Sequence, residues 1–68
     1  MERTEAEELV RAHCLATEED TGYLPEELRV SEDIYIAITG RHSHQPVGFE
    51  GVALYMDPNL DAEQVEAA

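Results

Sequence analysis

The side chains with chemical reach in this chain are its carboxylates, three histidines and one cysteine. His42-x-His44 is the only spacing that suggests a metal. Two imidazoles on an extended loop could ligate Zn²⁺, but a zinc site needs three or four ligands. Cys14, His13 or Glu50 would have to complete it, and none is close in sequence to the pair. His42 and His44 therefore read as members of a solvated loop. Cys14 and His13 are neighbours on an expected helix, about 100° apart in direction, so they form no nucleophile–base dyad. Cys14 reads instead as a small hydrophobe, and His13 as a residue packed on the helix's inner face. No glycine-rich phosphate loop with its lysine, no calcium loop and no H-E-x-x-H is present. Paired glutamates can do acid–base work only inside a pocket, and nothing in the pattern builds one. The sequence therefore predicts a non-enzyme that needs no metal or cofactor.

What remains is charge. Sixteen acids stand against four basic residues, all arginine, for a net charge of −12. Glutamate outnumbers aspartate twelve to four. Such a balance argues against direct contact with nucleic acid or an anionic membrane, because phosphate neutralisation requires a basic face. The acids are also unevenly placed. Residues 1–33 hold eleven of them with three arginines, and none lies between Asp33 and Glu50. They gather as Glu5, Glu7 and Glu8, then Glu18, Glu19 and Asp20, then Glu26 and Glu27, then Glu32 and Asp33. All of these except Glu7, nine in all, are the expected partner-binding residues. With few arginines in reach they repel one another, so the pattern asks for a basic partner or for a cause in the proteome.

The elements that carry these residues come from periodicity. Thr4-x-x-Glu7 reads as a capping box, and Ala6, Leu9, Val10, His13, Ala16 and Thr17 share one helical face. The spacing predicts a helix over about 5–20, stopped by Gly22, with Glu7 and Arg11 as an i, i+4 ion pair. Pro25-Glu26-Glu27 predicts a short helix near 25–29, anchored by Leu24 and Leu28. Ile34–Thr39 alternates as a strand with Ile34, Ile36 and Ile38 inward. A second strand from Phe49 to Met56 places Val52, Leu54 and Met56 on its inner face. Asp61-x-x-Gln64 predicts a last short helix from Ala62 toward Ala68. The expected fold is α+β: one domain over 1–68, a two-stranded antiparallel hairpin packed with one long N-terminal helix and two short ones. One cysteine excludes an internal disulfide, no apolar run is long enough to span a bilayer, and no leader is visible in the acidic N-terminus, so the expected location is the cytoplasm.

In size, acidity, element order and lack of a catalytic motif, the chain resembles the small phage-encoded anti-CRISPR proteins of the DNA-mimic type. No sequence motif carries the likeness. It implies an inhibitor that occupies the DNA- or PAM-binding surface of a CRISPR effector. Carboxylates three or four residues apart on a helix lie about 5–6 Å apart, and phosphates advance about 3.4 Å along a DNA strand, so a groove built for phosphates could accept them. The expected function is a non-catalytic protein that binds a basic nucleic-acid-binding partner, such as a CRISPR effector subunit. The expected assembly is a monomer or weak homodimer. The alternative is a small structural or homo-oligomerising domain. Its acidity would then follow from a salt-adapted or GC-rich proteome, with Tyr35, Phe49 and Tyr55 forming the dimer face.

Overall fold

A computed structural model describes all 68 residues. Helix α1 spans Arg3–Thr21 and ends where expected, with Gly22 at φ 86° and its N–H donating to the Glu18 carbonyl. Its start differs. Glu2 is the N-cap, without a side-chain cap, and Thr4 lies inside the first turn, so the Thr4–Glu7 capping box does not form. Glu7 instead receives Arg3 Nε at 3.1 Å and lies 3.7 Å from Arg11. Nineteen residues at about 1.5 Å each make a rod of about 28 Å, close to the molecule's 32 Å long axis.

The middle of the chain reverses two expectations. Residues 27–30 are not helical; they form strand β1, Glu27–Val30. Leu28 and Val30, two residues apart, are both buried, while Leu24, the other expected anchor, is exposed. Ile34–Thr39 is not a strand; it lies in helix α2, Glu32–Thr39. Ser31 is the N-cap: its Oγ accepts the Ile34 N–H at 3.1 Å and donates to the Ala62 carbonyl at 2.6 Å. Glu32 and Asp33 then occupy the first turn, where the helix dipole favours acids. Helical spacing buries Ile34, Tyr35 and Ile38 and leaves Ile36 more than a third exposed, so the expected isoleucine face is split.

The expected strand 49–56 is itself a hairpin. Strand β2, Val47–Phe49, turns back at Glu50–Gly51 into β3, Val52–Met56. Both turn residues have positive φ, 50° and 85°, which is the type I′ geometry that matches strand twist. The C-terminal helix is also absent: Val65–Ala67 is strand β4. The Asp61–Gln64 contact exists, with the Asp61 N–H donating to Gln64 Oε1 at 3.1 Å, but it closes a turn instead of starting a helix. The fold is thus α+β with two helices and a four-stranded mixed sheet, ordered β2-β3-β1-β4. β1 runs parallel to β3 and antiparallel to β4. A parallel neighbour requires a crossover connection, and α2 lies within it.

Both helices cover one face of the sheet. Ala6 and Val10 of α1 and Ile34, Tyr35 and Ile38 of α2 form one core with Leu28, Val30, Val52 and Leu54. Strand alternation puts Glu27, Arg29, Ala53 and Tyr55 on the uncovered face. The three aromatics of the expected dimer face are therefore dispersed. Tyr35 is in the core, where its hydroxyl donates to the Gln45 carbonyl; Phe49 lies beneath Arg11, and Tyr55 alone is on the open face.

Candidate functional site

The arginines decide which acids are compensated. Arg3 pairs with Glu7, Arg11 with Glu7 and Glu50, and Arg29 with Asp57. None of these carboxylates belongs to the nine expected contact residues. Of those nine, Glu32 lies 3.6 Å from His42, and Glu5, Glu8, Glu18, Glu19, Asp20, Glu26, Glu27 and Asp33 make no ion pair. All eight are exposed. Glu27 receives only the Tyr55 hydroxyl, at 3.4 Å.

On α1, a rotation of 100° per residue places Glu5, Glu8 and Glu19 on the side away from Ala6 and Val10. Glu18, Glu19 and Asp20 occupy the last turn, which holds no basic residue. The helix dipole is negative there, so three adjacent carboxylates are disfavoured by the backbone as well as by one another.

Beside this acidic end lies a feature the sequence did not disclose. Helical spacing puts Arg11, Cys14, Leu15 and Glu18 on one stripe that faces the β2–β3 hairpin. Together with Leu24, Phe49 and Val52 they line a half-open cleft of about 190 Å³. One end is closed by Arg11, whose Nε and Nη2 grip the Glu50 carboxylate at 3.0 and 2.6 Å. The same guanidinium lies 5.3 Å from the Phe49 ring centroid, a cation–π contact. The hydrogen bond from Arg11 holds the Glu50 carboxyl below the usual carboxylate range, and the same bond raises the Arg11 pKa. Glu50 is the only non-glycine residue with positive φ, a conformation that disfavours a Cβ. The turn thus accepts backbone strain at the residue that ties it to α1. Burial, and secondarily the Glu50 charge, push the Cys14 thiol up, which suits a half-buried wall residue. Gly51 within an alternating run was the one sequence signal of the turn.

His42 and His44 meet edge to face at 5.8 Å. No group of three or more His, Cys, Asp or Glu side chains is arranged to hold a metal ion. No helix is long and apolar enough to cross a membrane. No family model, no curated protein and no solved structure matches the chain.

Proposed function

We propose that this protein is a non-catalytic binder that presents its uncompensated carboxylates to a basic nucleic-acid-binding surface and competes with the nucleic acid for it. One observation carries the reading: every arginine that forms an ion pair serves an acid outside the nine expected contact residues, while Glu18, Glu19 and Asp20 crowd an unfavourable helix end without a counterion. That arrangement opposes folding, and a cationic partner relieves it. Carboxylates at such spacing would displace counterions from the partner's surface as phosphates do. A CRISPR effector is the target that the resemblance names.

The test is a gel-shift titration of an effector–duplex complex with this protein at several salt concentrations. Release of DNA with a steep salt dependence is expected. Reversing Glu18, Glu19 and Asp20 to lysine should weaken the competition by orders of magnitude, whereas Glu63→Lys, on the exposed turn before β4, should change it little. Equal effects from the two variants, or no release of DNA, would refute a defined acidic site.

A further inference from the structure

Resting on that reading, we infer that the cleft between α1 and the β2–β3 turn receives one bulky apolar side chain from a basic segment of the partner protein. Its size points to an anchor residue. A dry cavity of about 150 Å³ already accepts benzene, whereas small-molecule pockets start near 300 Å³. At about 190 Å³ the cleft fits one leucine or phenylalanine side chain and little more. Its walls are mainly apolar, formed by Cys14, Leu15, Leu24, Phe49 and Val52, with Arg11, Glu18 and Glu50 as the charged lining.

The surroundings name the occupant's charge. Glu18, which makes no ion pair, lines the cleft beside Leu15, and Glu26 stands two residues beyond Leu24 in sequence. Arg11 is already engaged by Glu50 and Glu7, so the rim's free charge is negative. Three of the five large apolar side chains left exposed, Leu15, Tyr23 and Leu24, fall within residues 15–24. A buried apolar centre inside a polar, complementary rim is the anatomy of a protein-binding hot spot. DNA offers no such anchor, so the partner's own side chain, and not its phosphate-binding chemistry alone, would set specificity. The ion pair and cation–π contact of Arg11, with the strained Glu50 backbone, hold the cleft walls in place before any partner arrives.

Two synthetic peptides test this. One is a blocked arginine–alanine peptide with a single central phenylalanine; the other carries alanine there. Binding is followed by anisotropy, by amide shifts and by the rate of Cys14 alkylation with iodoacetamide. The phenylalanine peptide should bind about ten-fold tighter or better, retain that advantage at high salt, shift Cys14, Leu24 and Val52 amides and slow alkylation. The double variant L15S/L24S alters exposed side chains only, so it should fold normally and lose the advantage while binding the alanine peptide unchanged. If both peptides bind equally and both respond to reversal of Glu18, Glu19 and Asp20, the cleft inference is overturned and the acidic surface stands. If the phenylalanine advantage persists in L15S/L24S, the cleft inference is likewise overturned. Binding of neither peptide at low salt would overturn both.

Discussion

The two halves of α1 are built on opposite principles. In the first half Arg3, Glu7, Arg11 and Glu50 form a chain of ion pairs, and Ala6 and Val10 below them are fully buried. In the second half no residue is fully buried, Leu15 is more than half exposed, and the last turn is acidic without a basic partner. One continuous helix is therefore packed and paired at one end and exposed and unpaired at the other. Burial and ion pairing are concentrated between Arg3 and Arg11, and charge is left uncompensated in the last turn, at Glu18, Glu19 and Asp20.

Substitutions under the two halves should separate this contrast most strongly. Tyr35→Ala, in the core that Ala6 and Val10 share, should cost about 3–5 kcal/mol, and Val10→Ala about 2 kcal/mol. Leu15→Ala and Ile36→Ala should stay within about 1 kcal/mol, since neither side chain is buried. Chemical denaturation reads all four. A Leu15→Ala cost equal to that of Val10→Ala would erase the distinction between the halves.

Charge reversal should act next. Changing Glu18, Glu19 and Asp20 to lysine removes repulsion and favours the dipole, so it should stabilise by about 1 kcal/mol, or about 4–8 °C in Tm. Glu5→Lys at the opposite terminus should destabilise by a few tenths of a kcal/mol. About 0.5 M NaCl should raise the wild-type Tm and shrink the gain from the reversal. A triple variant that melts lower than wild type would show that those carboxylates hold the fold together.

The smallest effect concerns the tie at Glu50. Its carboxyl pKa is lowered in the folded state by the Arg11 hydrogen bond, so the pair supports stability above the unfolded carboxylate pKa. That support is lost as pH falls through the lower, folded value. Glu50→Gln should therefore melt slightly below wild type at pH 7, and the two curves should converge in acid. A difference that does not change with pH would place the effect in the turn backbone instead of the ion pair.

Much of the first twenty-two residues was legible. The 3.6-residue pattern, the Glu7–Arg11 pair and the Gly22 stop are local features, and local energetics suffice to produce them. The clustering of acids was legible because net charge needs no fold. Burial of Leu28, Val52 and Leu54 was read correctly even where the element was not, since apolar side chains leave water in either a helix or a strand. Residues 27–39 misled because two local signals competed. Pro25-Glu26-Glu27 suits a helix start, and Ile-x-Ile-x-Ile suits a strand, yet Ser31 with Glu32 and Asp33 is also a helix start, and Ile34 and Ile38 are one helical turn apart.

The sequence by itself determined the long helix, its terminator, the apolar residues that must leave water and the excess of carboxylates. Only tertiary structure decided that Leu28–Val30 lies between β3 and β4, that α2 crosses over between the parallel pair, and that Val65–Ala67 closes the sheet. Those outcomes depend on hydrogen bonds to strands remote in the chain, with Leu28 beside Leu54 on one side and Ala67 on the other. No window of neighbouring residues contains that information. The cleft has the same origin, because its walls come from residues 11–24 and 49–52 and meet only when Arg11 reaches Glu50 across 39 positions of sequence.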